Sequence, residues 1–405
     1  MAEWISKTLG ELTSFISKGI PPKYVDEENE NTIRVLNQKC NRNFEISYNE
    51  SRIHNAAVKK VPENKLLHSG DVLINSTGTG TAGRVAQIFN IPMPTTVDGH
   101  MILLRPTKEI DPLYYGYVIK SYQKKIESLA EGSTGQTEIN RQRLQDEIYI
   151  TFPKDRALQK EIGTFLFQID EKIKNNSEIN NNLEQQAQAI FKSWFVDFDP
   201  FGGNRPIDWI TGIVDDLGAE IICGKTPSTK KKEYYGGNTP FITIPDMHGC
   251  VYNVSTERYL SAAGVASQPK KTLPHNTVCI SCIGTAGLVT LVSEKSQSNQ
   301  QINSIVPKEG ISAYYIYLLM QTLSETINKL GQSGSTIVNL NKTQFGKIPV
   351  PIPSEQVLCN FDTLCKPLFE MILSNQKENI KLANLRDTLL PKLMSSELDV
   401  SDIDL

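Results

Sequence analysis

The chain carries no large excess of charge of one sign: across 405 residues the formal net charge is −3. That excludes a polycationic arm or an acidic solvating tail as the basis of function and leaves the ligand open. Cysteine is scarce and unevenly placed, with Cys40 alone in the first half and Cys223, Cys250, Cys279, Cys282, Cys359 and Cys365 in the second. An odd total of seven fits no disulfide framework, so a reducing compartment is expected. No long apolar run is present, and the residues after Met1 have no charged leader followed by an apolar stretch, so a cytoplasmic protein without a membrane span is expected. The histidines (His54, His68, His100, His248 and His275) are scattered, without metal or triad spacing.

Motifs for catalysis are equally thin. Cys223-Gly224-Lys225-Thr226 resembles the end of a phosphate-binding loop, but Ala219 stands where glycine is required and Pro227 spoils the helix that should follow. Asp199-Pro200-Phe201-Gly202 lacks the second proline of an amino-methyltransferase signature, and no glycine-rich cofactor loop accompanies it. Cys279 and Cys282 have CxxC spacing inside an apolar strand, which points to core packing rather than zinc or redox chemistry. No catalytic residue, resident metal or bound cofactor is expected.

What the chain has is a repeat. Gly80-Thr81-Ala82-Gly83, Gly132-Ser133-Thr134-Gly135 and Ile148-Tyr149-Ile150-Thr151-Phe152-Pro153 are followed by a long helical stretch. The same order returns as Gly284-Thr285-Ala286-Gly287, Gln332-Ser333-Gly334-Ser335 and Ile348-Pro349-Val350-Pro351-Ile352-Pro353, with another helical stretch behind it. The length alone favours more than one core. The predicted architecture is α+β: two mixed, mostly β modules at 1–153 and 206–353, separated by two long antiparallel helices at 154–200 and 354–397, related by an internal pseudo-twofold. Helical insertions are expected at Pro112 to Ala130 and at Ser312 to Leu330.

The segments after Pro153 and Pro353 place apolar residues mostly at steps of three and four: Leu158, Ile162, Phe165, Ile169 and Ile173 in one, Leu358, Phe361, Cys365, Leu368 and Ile372 in the other. This is the seam of a coiled coil or helical hairpin. The stripe weakens midway, at Asn175, Asn176, Asn180, Asn181 and Asn182 and at Asn375, Gln376 and Asn379. These amides either face one another across an antiparallel pair and fix its register, or lie on the solvated face or mark a break in the helix. Pro367 predicts a kink or a helix start, and Pro391 a helix end or a tilted last turn.

Basic residues interleaved with amides open each module. Lys18, Lys23, Arg34, Gln38, Lys39, Asn41 and Arg42 form the first group, in which amides can read adenine edges while cations hold phosphates. Lys225, Thr226, Lys230, Lys231 and Lys232, followed by Tyr234 and Tyr235, form the second. The Gly/Ser loops add Ser133, Thr134 and Gln136, and Ser333 and Ser335, with backbone N–H groups able to approach a phosphate. The alternatives are a solvated lysine face and turns that merely reverse a strand.

The ordered recurrence of these phrases resembles the specificity subunit of type I restriction-modification systems over essentially the whole chain. The module openings Thr8-Leu9-Gly10-Glu11-Leu12 and Asp216-Leu217-Gly218 resemble the family's style, as do the helix endings Ala189-Ile190-Phe191-Lys192-Ser193-Trp194-Phe195 and Leu385-Arg386-Asp387-Thr388-Leu389-Leu390-Pro391-Lys392-Leu393. The resemblance implies a non-catalytic subunit in which each module reads half of a split double-stranded DNA target. It also implies that the helices set the gap and hold two modification (methyltransferase) subunits, with Phe191, Trp194, Phe195, Leu389 and Leu393 as docking residues. Restriction subunits would join through them, and S-adenosylmethionine, ATP and Mg would be bound by the partners, none by this chain. The competing readings are a coiled-coil scaffold with paired β modules and no nucleic acid, and a fused enzyme. The missing cofactor loop counts against the enzyme, and the basic, amide-rich openings count against the scaffold.

Overall fold

The computed structural model describes residues 3–132, 137–332 and 338–398. The chain divides into two compact units, Met1–Glu171 with Leu382–Leu405, and Lys172–Lys381. Each combines a β-rich module with parts of two helices, Arg156–Phe195 and Glu355–Met394. At 1.5 Å per residue each of these 40-residue helices rises about 60 Å. The architecture is α+β, as the repeat implies.

In the first unit the central antiparallel sheet runs Thr13–Lys18, Met101–Pro106, Val72–Asn75, Val85–Gln87. Val72-Leu73-Ile74 is a continuous apolar run because both of its faces are covered. A second sheet pairs Thr95–Val97 parallel to Thr32–Leu36, then Arg52–Asn55 and Tyr24–Val25. Trp4–Thr8 pairs with Tyr149–Pro153, which ties the module's beginning to the strand that enters the first long helix. The helix Pro112–Ser121 starts where Asp111 accepts hydrogen bonds from the backbone of Leu113 (3.0 Å) and Tyr114 (3.3 Å), with proline at its first position. It buries Tyr114, Tyr115 and Tyr117.

The second unit repeats this plan. Its central sheet runs Gly218–Cys223, Ile302–Pro307, Val278–Ser281, Val289–Val292, with Tyr252–Asn253 added at the edge. Ser296–Ser298 again runs parallel to Tyr235–Ile242, and Ile210–Ile213 pairs with Pro349–Ile352. The helix Ala313–Thr322, capped by Ser312, buries Tyr314, Tyr315 and Tyr317, the counterparts of the first three tyrosines 200 positions on. Cys279 and Cys282 are buried in and beside a central strand, and burial pushes both thiols up to about 12, so they pack as apolar side chains.

The Gly-Thr-Ala-Gly turns reverse strands in both modules. Gly83 (φ +89°) and Gly287 (φ +87°) press on the following helical segment, where a Cβ would lie 2.7 Å from Glu127 Cα or 2.3 Å from Ser324 Oγ. Only glycine fits both the conformation and the space.

Within the second unit, Leu358, Phe361, Cys365, Phe369 and Ile372 of the second long helix are buried in one core with Ala187, Phe191 and Phe195 of the first. Phe369 takes the seam place expected of Leu368. The polar interval is also internal here. Asn375 Nδ2 donates to Asn180 Oδ1 at 2.9 Å, with both residues buried. One turn along, Asn176 Nδ2 donates to Asn379 Oδ1 (2.9 Å) and Glu378 Oε2 (2.7 Å), and Asn379 Nδ2 donates to the Ile173 carbonyl (3.1 Å). The pairings advance along one helix as they retreat along the other, so these segments are antiparallel. Asn175, Asn181 and Asn182 face solvent. Within the first unit, Arg386 of the second long helix is ion-paired with Asp170 of the first.

The second long helix runs unbroken through Pro367 and ends at Met394, three residues past Pro391. A helix start at Pro367, one of the two expected alternatives, does not occur. That proline is exposed, so the Thr363 carbonyl it leaves without a helical donor faces the solvated side, where water can meet it.

The amide rung makes a direct prediction. Asn180→Leu strands the buried Asn375 amide and should cost about 1–3 kcal/mol in denaturant unfolding. Adding Asn375→Leu should recover most of that loss, whereas additive losses would mean that the pair is not a coupled rung.

Candidate nucleic-acid interface

At one end of each central sheet the same backbone joint is built twice. In the first module Gly19 N donates to Met101 O (3.1 Å), Ile20 N to Val97 O (2.9 Å), Ser76 N to His100 O (2.8 Å) and Ile139 N to Ser76 O (2.8 Å). In the second, Gly224 N donates to Ile302 O (3.0 Å), Lys225 N to Ser298 O (2.9 Å), Cys282 N to Gln301 O (2.8 Å) and Leu340 N to Cys282 O (2.9 Å). Four chain segments meet at each joint, and their exposed side chains form a polar rim. Gly19 and Gly224 are required by close approach: a Cβ would lie 2.0 Å from Val97 O or 2.1 Å from Asn299 O.

The first rim is cationic. Lys65 Nζ donates to the carbonyls of Lys18 (2.8 Å) and Gly19 (3.0 Å), and Lys18 is ion-paired with Glu138. Burial first, and then the charge of Arg141, lowers both lysines below their ordinary range. A cleft of about 650 Å³ beside them is lined by Lys18, Arg141, Gln142 and Gln145. Thr77 Oγ1 lies 2.9 Å from His100 Nδ1, and the Asp98 carboxylate accepts from His100 N at 2.9 Å. Burial raises the Asp98 carboxyl, and that hydrogen bond partly offsets the rise.

The second rim is richer in amides. Thr226 Oγ1 donates to Gln300 Oε1 (2.7 Å), Gln268 Nε2 donates to Lys225 O (2.7 Å), and Asn299 Nδ2 donates to Gln301 Oε1 (3.0 Å). Tyr235 Oη donates to Pro227 O (2.8 Å), which ties the loop carrying Lys230, Lys231 and Lys232 back to the rim. All three lysines are exposed, and Lys231 donates to Tyr234 Oη at 3.0 Å.

The residues singled out from sequence fall into separate groups. Lys18, Lys225 and Thr226 lie on the rims, while Lys23, Lys39 and Arg42 are exposed elsewhere on the first module. Asn41 is a correction: it is fully buried, and its Nδ2 donates to Arg84 O (2.9 Å) and Asn75 Oδ1 (3.1 Å), so it anchors its loop and cannot reach a base edge. Gln38 likewise turns its side-chain oxygen inward, and Arg34 is taken up by an ion pair with Glu28. Ser133, Thr134, Gln136, Ser333 and Ser335 lie outside the described residues.

The expected docking residues need the same correction. Phe191 and Phe195 are packed with Phe361 and Tyr315, with Phe195 and Tyr315 rings 4.8 Å apart. Leu389 and Leu393 are also buried, which leaves Trp194 of this group half-buried. A helical phrase rich in aromatics reports a core here, because the largest apolar side chains fill the space beneath the module. Sequence reasoning missed Lys65, His100, Arg141, Gln300 and Gln301. The signal for three of them was the turn before the central strand, Asp98-Gly99-His100 against Asn299-Gln300-Gln301, which holds the same place in both repeats.

Among the described residues no group of three or more His, Cys, Asp or Glu side chains is placed to hold a metal ion, and no helix is long and apolar enough to cross a membrane.

Duplicated β modules, each presenting a rim of basic and amide side chains on a shared backbone joint and each packed on long helices, define a recognition protein built by repetition. The chain matches the model of the Type I restriction modification DNA specificity domain over residues 1–185 and 206–360, and it belongs to that family. It is 30% identical over 472 aligned positions to the HindI type I restriction enzyme specificity subunit of Haemophilus influenzae, covering 98% of this chain and 100% of that one. It is 24% identical over 420 positions to the MjaIX type I restriction enzyme specificity subunit of Methanocaldococcus jannaschii, covering 99% and 95%. The S subunit of a type-I restriction-modification system from M. genitalium has the same fold, with a TM-score of 0.62 at 18% identity over 97% of this chain and 96% of that one.

The joint can be tested without DNA. Gly19→Ala or Gly224→Ala forces a methyl into backbone and should destabilise the protein by on the order of 2 kcal/mol. Gly99→Ala, whose Cβ would meet only Ile20 O at 3.9 Å, should melt with the unaltered protein. Equal melting of all three variants would show that the joint yields.

Proposed function

We propose that this chain is the DNA-reading subunit of a type I restriction-modification complex, with each module reading half of a bipartite duplex target. The observation that carries the reading is the repeated rim: one backbone joint presents Lys18, Lys65, His100 and Arg141 in the first module and Lys225, Thr226, Gln300 and Gln301 in the second. Cations hold phosphates, and amides, imidazole and hydroxyls discriminate base edges. Different side chains on the same joint are what two different half-sites require.

The chain does no chemistry on this reading. Methyl transfer, with S-adenosylmethionine, belongs to two modification subunits, and ATP- and Mg-dependent translocation and cleavage belong to restriction subunits, all in the cytoplasm. The long helices carry the modification subunits and set the unread gap between half-sites, since a helix fixes its length at 1.5 Å per residue. The buried phenylalanines of the helix endings leave docking to exposed helix positions such as Leu364, Met371 and Leu385.

A net charge of −3 leaves little non-specific attraction, so the chain alone should bind duplex DNA weakly and gain affinity with its modification partners. In that complex, Lys230→Ala, Lys231→Ala and Lys232→Ala together should weaken binding and lower the salt slope by up to about 0.9 for each phosphate no longer neutralised. The methylated sequence should stay unchanged, whereas Gln300→Ala with Gln301→Ala should relax it in one half-site only. Fluorescence titration against salt and mapping of methylated sites decide both points, and a changed target in the lysine variant contradicts the phosphate role.

A further inference from the structure

Each unit sets a carboxylate of the first long helix against the third buried tyrosine of a module helix, and the two units satisfy it differently. In the first, Asp170 accepts from Tyr117 Oη at 2.7 Å, is ion-paired with Arg386, and has the Lys120 ammonium 3.7 Å away. Lys120 also lies 4.2 Å from the centre of the Phe44 ring, which packs on Tyr117 at 5.2 Å, so the junction is both filled and neutralised. In the second, Glu184 Oε1 accepts from Tyr317 Oη (2.7 Å) and Gln321 Nε2 (2.8 Å). The counterpart of Lys120 at an offset of 200 is Met320, and that of Arg386 is Gln186. Glu184 forms no ion pair among the described residues.

In place of those cations the second unit has a cleft of about 670 Å³. Among the described residues lining it, Glu184 alone carries a formal charge; Asn181 and Gln188 add amides, and the partly exposed Val254, Leu288 and Ile380 add an aliphatic wall. Burial, then the Glu184 charge, holds the Tyr317 hydroxyl well above its ordinary range, so it remains a donor to the carboxylate. A carboxylate in a partly enclosed cleft attracts a cation more strongly than one on an open surface. An ammonium group would complete at Glu184 what Lys120 and Arg386 complete at Asp170, and a chain of methylenes suits the aliphatic wall.

We propose that this cleft binds a linear aliphatic polyamine, with one ammonium on Glu184 and its methylenes along Val254, Leu288 and Ile380. The test is calorimetric titration of the full chain with spermidine at physiological ionic strength. One saturable site is expected. Glu184→Gln, which keeps the shape and an oxygen to accept from both donors, should weaken it at least tenfold without lowering the melting temperature of the free protein. Gln321→Lys, which supplies the cation the first unit already has, should abolish binding and raise that melting temperature. Absence of a saturable site in the unaltered chain, or affinity unchanged in both variants, overturns the proposal and leaves only diffuse counterion binding.

Discussion

The buried amides between the long helices are the constraint on which the second unit depends. An apolar seam alone tolerates sliding by a turn, because one leucine-sized contact replaces another. Asn180 with Asn375, and Asn176 with Asn379 and Glu378, do not tolerate it, since a shifted helix would leave amides against apolar side chains with their hydrogen bonds unmade. The register in turn decides which helix positions face the module: Ala187, Phe191 and Phe195 from one helix and Phe361, Cys365 and Phe369 from the other. In the first unit the ion pair of Asp170 with Arg386 holds the same two helices, again across chemistry that has one correct partner.

The modules themselves separate what is held constant from what varies. Their rim joints are made by backbone N–H and carbonyl groups, which are indifferent to the side chain attached. Ser76 and Cys282, His100 and Gln301, and Ile20 and Lys225 therefore occupy matching places without disturbing the fold. Glycine is the exception, at Gly19 and Gly224, because the backbone there passes another strand too closely for any side chain. A scaffold of this kind can exchange its rim side chains residue by residue at little cost in stability.

Much of this was legible in the sequence because it is local or repeated. The three-four spacing marked both long helices, Asp111 and Pro112 marked a helix start, the interval of asparagines marked a change in the seam, and the 200-residue offset marked two modules. What was not legible is convergence. Residues 18–20, 76–77, 98–100 and 138–141 meet only because strand order places them at one sheet end, and no local pattern reports strand order. Asn41 read as a base reader because amides suit adenine, yet its neighbours Asn75 and Arg84 claim it. Phe191 and Phe195 read as an exposed docking phrase because their burial depends on a module that begins only after them. Pro367 read as a kink or a helix start because sequence does not show which helix face it occupies.

On the proposed function, the helix pair, held in register by its amides, is the ruler between half-sites. Inserting 22 helix-forming residues after Ser177 in the first long helix and after Lys377 in the second keeps Asn176 with Asn379 and Asn180 with Asn375, and lengthens the pair by about 33 Å. At 3.4 Å per base pair that is about ten pairs, nearly one turn of the duplex, so each half-site returns to the same side. Methylated sites made by the assembled variant are then mapped. The account predicts both original half-sites separated by about ten additional unread pairs; efficient methylation at the original spacing would contradict it.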